Sequence, residues 1–304
     1  MKQLVIAERY CLIGHILAKT FGLAGLLLVV PHADAILRLL PDGQSLFQWS
    51  VEKSMAGGGV TDILFGLAAV SIFAYRTVGM RLTLAFMLPA ISISLTSELL
   101  GTGTGFPFGD YSYLSGLGYK IAGLVPFTIP LSWFYMGFSS YLIASVALNS
   151  DKSNWLRQVS AVLLGAMLFT AWDFALEPAM SQTTFPFWYW AEPGAFFGTP
   201  YRNYLGWYGT SALFMSVAAL LWRNPRLNLK RSQLVVPLIV YLSNVAFAAA
   251  ISLAFGFWFP VALGLIFGVI PVIFLWWIAQ PSTDAVTEAK TGVVNNPSVK
   301  IALK

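Results

Sequence analysis

The chain has 304 residues, of which 57% are hydrophobic and only 10% charged. A soluble domain carries about 25% charged residues, so a surface this poor in charge must face lipid. The net charge of +5 is scattered between apolar runs with no basic face, which excludes a nucleic-acid partner, and one cysteine with two histidines excludes an internal disulfide, a cysteine cluster and a histidine-rich iron site.

A membrane-crossing helix needs about 20 mainly apolar residues. The stretches that qualify are Leu12–Val30, Val60–Tyr75, Leu82–Leu100, Ile121–Leu148, Val159–Leu176, Leu205–Trp222, Leu234–Ala254 and Trp258–Ile278. They predict an all-α fold, a polytopic integral membrane bundle of about eight transmembrane helices. The first stretch holds His15 and Lys19; sliding it to Phe21–Leu40 instead puts Pro31, His32, Asp34 and Arg38 at membrane depth, which is costly. The second is short and borrows from Gly57–Gly59, read as a helix-entry turn. One set of loops and ends carries thirteen Lys and Arg, from Lys2 and Arg9 to the tail, and the other only Arg38, Lys53, Lys120 and Arg202. That bias predicts both termini on the cytoplasmic side. Residues 1–280 read as one membrane domain, and 281–304 as a polar, disordered cytoplasmic tail.

The longer non-cytoplasmic loops, Gly101–Lys120 and Glu177–Tyr204, are rich in Gly, Pro and aromatics. Loops this apolar are expected to fold back over the helix ends as a cover. Glu98 is followed by Phe106-Pro107-Phe108 and Glu177 by Phe185-Pro186-Phe187 at the same spacing, and the loops lead into Leu117-Gly118-Tyr119 and Leu205-Gly206-Trp207. This pattern fits a parallel repeat of two helix pairs. Gly101-Thr102-Gly103-Thr104-Gly105 follows a membrane helix and lacks nucleotide-loop spacing, so it reads as a flexible turn.

Asp62, Glu98, Asp110, Asp173, Glu177 and Glu192 fall at the non-cytoplasmic helix ends or in the two aromatic loops. An acid within a span costs roughly 2.5–3.5 kcal/mol, so it usually faces a cavity and has a task. Asp173 and Glu177 share one helical face, and Glu98 ends another helix running the same way. The alternative is that such acids pair with Lys120 or Arg202, or that Asp173 bonds Asn203, to hold the loops. The run from Phe185 to Trp190 suits a wall for a long apolar ligand, its ring faces able to stabilise positive charge, and equally an interfacial belt.

Ser97-Glu98-Leu99-Leu100-Gly101, Phe108-Gly109-Asp110-Tyr111 with Tyr113, Val125-Pro126, Trp133, Trp172-Asp173, Glu177-Pro178, Phe187-Trp188-Tyr189-Trp190, Phe197-Gly198-Thr199-Pro200 and Asn203-Tyr204-Leu205-Gly206-Trp207 resemble the CruF-type carotenoid biosynthesis proteins. The resemblance implies a carotenoid 1,2-hydratase. Such an enzyme adds water across the terminal C1–C2 double bond of an acyclic ψ end group on a γ-carotene-, lycopene- or C50-type substrate, with no cofactor or metal. The partners implied are a membrane-embedded carotenoid, water and other carotenoid-pathway enzymes, in a plasma or other pigment-bearing membrane. The chemistry needs a protonated general acid and an ionised carboxylate. Asp173, buried beside Trp172, is the expected acid, and Glu98, expected to see more water, the cation stabiliser and water base; Glu177, Asp110 and Glu192 support them. Tyr111, Trp133, Trp172, Trp188, Trp190, Asn203 and Trp207 are the expected substrate contacts. A carotenoid or polyprenoid end-group cyclase would use the same cation, and a non-enzymatic isoprenoid lipid carrier would use the acids as a proton relay.

Overall fold

The computed structural model describes residues 1–39, 44–148, 154–223, 227 and 229–279. The expected tail at 281–304 lies outside the described residues. Long helices dominate: α1 (Lys2–Leu39), α2 (Gln44–Val78), α3 (Met80–Thr104), α4 (Thr128–Ala147), α5 (Asn154–Ser181), α6 (Tyr201–Trp222), α7 (Val235–Ala254) and α8 (Trp258–Ile278). Every one except α4 is long and apolar enough to cross a membrane. The chain is an all-α, polytopic membrane protein.

The exception has a physical reason. Helix α4 is enclosed by other helices, and residues such as Trp133, Phe134, Phe138, Ser139 and Ser140 are buried. A helix shielded from lipid by protein can carry Ser, Thr, Tyr and Trp without meeting hydrocarbon. It begins at Thr128, later than the expected Ile121, because Lys120–Ile121 (β2) pairs with Val125–Pro126 (β3) in a short hairpin.

Other boundaries move outward. Helix α2 runs unbroken through Gly57–Gly59, so the expected entry turn is helix interior. Helix α1 passes Pro31 by way of a π turn at Gly25–Val29 and a 3₁₀ turn at Val30–His32. Helix α8 likewise has a π turn, Leu265–Val269, ahead of Pro271. Proline lacks a donor and crowds the carbonyl four residues earlier, and a wider turn at that carbonyl relieves the clash. The expected turn at Gly101–Gly105 is also helical: α3 continues to Thr104 and ends on Gly105 in the left-handed region, φ +76°.

Two further strands, Tyr111–Tyr113 (β1) and Trp188–Trp190 (β4), form an antiparallel ribbon. They make α3–β1–α4 and α5–β4–α6 two equivalent units. Helix α3 packs on α6 as α4 packs on α5, and the antiparallel pairing of equivalent strands is what a two-fold between units produces. The ends of α3 and α5 and the starts of α4 and α6 meet beneath the ribbon. At the far end of the bundle, Trp222 donates to the Leu82 carbonyl at 2.9 Å and Arg76 pairs with Glu8 at 3.0 Å.

Candidate active site

Period-two alternation builds the cap. Tyr111 and Tyr113 point inward, as do Trp188 and Trp190, while Tyr189 between the tryptophans is exposed. Register sets Tyr111 opposite Trp190 and Tyr113 opposite Trp188, with ring centroids 5.1 and 5.9 Å apart. Two glycines admit this packing. A side chain at Gly101 would meet the Phe108 ring at 2.7 Å, and Gly109, at φ +129°, lies where a side chain would meet Trp190 at 2.8 Å.

Each strand holds one carboxyl. Glu98 Oε2 accepts hydrogen bonds from the Tyr111 hydroxyl and, at 2.9 Å, from the Tyr113 hydroxyl; Trp133 Nε1 donates to Oε1 at 3.1 Å. Glu177 Oε2 accepts from Trp188 Nε1 at 3.1 Å, Trp190 Nε1 at 3.0 Å and Thr199 Oγ1 at 3.5 Å. The donors follow their acid by 13 and 15 residues in the first unit and by 11 and 13 in the second. Burial, and then the neighbouring Glu98, push the phenols of Tyr111 and Tyr113 well above the usual tyrosine range, so both remain donors.

Both glutamates line one cavity of about 870 Å³. All seven expected substrate contacts line it too: Tyr111, Trp133, Trp172, Trp188, Trp190, Asn203 and Trp207. Its floor is an aromatic stack, with Trp207 4.7 Å from Trp133, 5.1 Å from Phe169 and 5.8 Å from Trp172 between ring centroids.

The remaining acids are placed differently. Asp173 is fully buried but is not part of the cavity lining. Asn203 Nδ2 donates to its Oδ2 at 2.8 Å, and its Oδ1 has no hydrogen-bond partner. Arg202 does not reach Asp173; its guanidinium donates to the Gly105 carbonyl. Asp110 and Glu192 are exposed beside the ribbon, where Ala191 N donates to Asp110 O at 2.9 Å. The expectation that Glu98 sees more water does not hold, because it is 2% exposed beneath the tyrosines. What distinguishes it is its donors, which occupy both oxygens.

The sequence profile of a family described as "Carotenoid biosynthesis protein" matches residues 58–271. The chain belongs to that family. It is also 30% identical over 175 residues to the bisanhydrobacterioruberin hydratase of Haloarcula japonica, the match covering 56% of each chain. The chain therefore spans little more than half of that relative's length. No solved structure matches.

The family segment contains both glutamates, the whole ribbon and the aromatic floor. Two contacts in it escaped the sequence reading as site residues, Tyr113 and Thr199. Tyr113 had a signal: Tyr111-Ser112-Tyr113 repeats the alternation of Trp188-Tyr189-Trp190 after the equivalent acid. Thr199 stood in the motif Phe197-Gly198-Thr199-Pro200, but nothing local marked it as a contact of Glu177, which it reaches through the turn in which Gly194 and Phe196 bridge to Gly198 and Thr199.

Proposed function

We propose that this chain is a carotenoid hydratase that adds water across the terminal C1–C2 double bond of an acyclic ψ end group to give a tertiary alcohol. The observation that carries the reading is the pair Glu98 and Glu177, fixed by aromatic donors at the wall of one aromatic cavity. The family, and the hydratase name of the Haloarcula relative, point the same way.

Glu177 is assigned as the proton donor. Its donors all converge on Oε2, leaving Oε1 to carry a proton. That proton goes to the less substituted alkene carbon and leaves a tertiary cation on the other. The faces of Trp133, Trp172 and Trp207 shield the cation, and the Glu98 carboxylate offsets its charge. Water forms the new C–O bond and gives a proton to Glu98, which accepts hydrogen bonds at both oxygens as a carboxylate does. Return of that proton to Glu177 closes the cycle with one water added. The reaction changes no oxidation state overall, so water and two carboxyls supply every atom it needs. Asp173 supports the site through Asn203, which does line the cavity.

The substrate is a membrane-embedded carotenoid with an open end group, and the acid pair lies toward the non-cytoplasmic side of a pigment-bearing membrane. Expression in a host that accumulates lycopene or γ-carotene tests this. The expected product is more polar, heavier by one water per reacted end, and takes its oxygen from isotope-labelled water. A product of unchanged mass with a ring at its end would identify a cyclase; unchanged pigment would end both readings.

A further inference from the structure

A second polar cluster lies in the wall of the same cavity and has no part in the steps above. Lys19 Nζ on α1 donates to Asp62 Oδ2 on α2 at 2.7 Å. His15 Nδ1 is 2.8 Å from Asp62 Oδ1 and 3.0 Å from the Asp62 carbonyl oxygen, so it carries the ring proton. His15 Nε2 is then an acceptor for Asn244 Nδ2 at 3.2 Å. Asn244 also donates to the Val240 carbonyl at 2.8 Å and accepts from the Tyr135 hydroxyl at 3.3 Å. All of these side chains except Asp62 are more than nine-tenths buried.

Within this cluster the hydrogen-bonding capacity of His15 and Asn244 is used internally, and that of Lys19 is not. An ammonium has three N–H donors. Among the described residues, Lys19 spends one on Asp62 and rests over the Phe247 ring at 5.0 Å. That ring, which also packs against Gly22, offers the ammonium no side-chain acceptor. Lys19, Asp62, Tyr135 and Asn244 all line the cavity that holds Glu98 and Glu177. The lysine and aspartate neutralise one another, so the complement to the spare donors is an uncharged oxygen and not an anion. Tyr135 stands two residues beyond Trp133, the indole that holds Glu98, so one helix, α4, carries a contact to each group.

We infer that Lys19, braced by Asp62, His15 and Asn244, forms a second subsite in the cavity for an uncharged oxygen acceptor, either a hydroxyl on the polyene or a captive water. The inference rests on the reading that this cavity takes a polyene and hydrates it. Lys19 and His15 stand on α1, ahead of the family segment at residues 58–271. The steps assigned to Glu98 and Glu177 use none of these side chains, so the subsite governs selectivity or water supply.

The test uses the full-length protein in detergent and the double variant Lys19→Met with Asp62→Leu, which removes both charges and strands neither. Lys19→Arg, which keeps the ion pair but moves its donors, replaces it if the double variant does not fold. Quenching of tryptophan fluorescence measures binding of an acyclic polyene bearing a tertiary alcohol and of its parent hydrocarbon. If the oxygen is the ligand's, the wild type prefers the alcohol by about three- to tenfold, the scale of one hydrogen bond, and the variant loses that preference. If it is water, both ligands bind alike. In deuterated water the variant then returns more deuterium-labelled alkene per hydrated product, by about threefold, because the cation loses a proton before water captures it. No preference in the wild type together with an unchanged deuterium partition overturns the inference while the hydratase reading stands. A wild type that binds neither polyene ends the hydratase reading, and the subsite with it.

Discussion

Tyr113 and Trp188 face each other across the β1–β4 ribbon, their ring centroids 5.9 Å apart, and each reaches a different carboxyl: Tyr113 holds Glu98 and Trp188 holds Glu177. One strip of backbone thus fixes both acids. Beyond the strand pairs, Leu114 N donates to Phe187 O at 2.7 Å and Ala191 N to Asp110 O at 2.9 Å. Pairing satisfies the ribbon's peptide groups, while alternation sends every second ring into the site.

The tyrosines give the protein an alkaline limit with a definite sign. Tyr111 and Tyr113 titrate above their ordinary value of 10.0, through burial first and Glu98 second. Between the ordinary and the raised values the unfolded chain has released protons that the folded chain keeps, so stability falls as pH rises. Their contribution is complete below about pH 10. Thermal unfolding in detergent is expected to be flat up to that point and to decline above it, with a shallower decline for Tyr111→Phe combined with Tyr113→Phe. An unchanged alkaline slope in the double variant would show that these phenols are not shifted.

Paired glycines separate local fit from helix propensity. A methyl at Gly101 would press the Phe108 ring and sit 3.2 Å from the Tyr111 hydroxyl, whereas Gly103 has nothing within 4 Å. Gly101→Ala is expected to displace Tyr111 from Glu98 and reduce hydration by about tenfold or more, since small misplacements at a reacting centre are costly. Gly103→Ala is expected to keep full activity, with helix stability raised by up to about 1 kcal/mol. Equal activity in the two variants would mean that Tyr111 does not position the acid.

Orientation is testable by reporter fusion. Fusions after Tyr75, Leu148 and Trp222 are expected to report the cytoplasm, and fusions within Gly101–Lys120 and Glu177–Tyr204 the opposite side, from the bias of Lys and Arg. A cytoplasmic signal from either aromatic loop would invert the bundle and put the acid pair on the wrong face.

The fold was legible where lipid dictates composition. Stretches such as Leu234–Ala254 need no context to be recognised, and α4, found within Ile121–Leu148, carries more Ser, Tyr and Trp because its neighbours protect it. Helix ends were misjudged at Gly57–Gly59 and Gly101–Gly105 because propensity disfavours glycine in a helix, whereas close packing rewards it, against the Gly116 carbonyl and Leu117 at Gly59 and against the Phe108 and Tyr111 rings at Gly101. Within the site, aromatic type and alternation pointed to the right loops. Depth and facing did not follow from spacing. Asp173 and Glu177 share a helical face, yet only Glu177 reaches the cavity, and the tyrosines over Glu98 remove the water that its position at a helix end suggested. The Lys19–Asp62 pair joins residues 43 apart through the packing of α1 on α2, which no local pattern announces.

The acids themselves give the decisive experiment. Glu98 and Glu177 are equivalent in the two units, while the position one turn before each is Ser94 in the first and Asp173 in the second. Repeat equivalence and cavity lining therefore select the same two residues, and Asp173 is left as the partner of Asn203. An amide keeps the size of a carboxyl but neither delivers a proton to an alkene nor carries charge to offset a cation. Glu98→Gln and Glu177→Gln are each expected to lower hydration by at least about a hundredfold, the usual scale for general acid–base catalysis, with pigment still bound. Asp173→Asn still offers Asn203 an acceptor oxygen and is expected to cost less than about tenfold, the scale of one adjusted hydrogen bond. The double variant of both glutamates is expected to be little worse than either alone, since groups that act as one unit are strongly non-additive. Protein level and bound carotenoid are matched before rates are compared. A hundredfold loss in Asp173→Asn with near-normal turnover in Glu177→Gln would move the proton donor one turn back along α5, and would mean that Asp173 gains access to the cavity when substrate is bound.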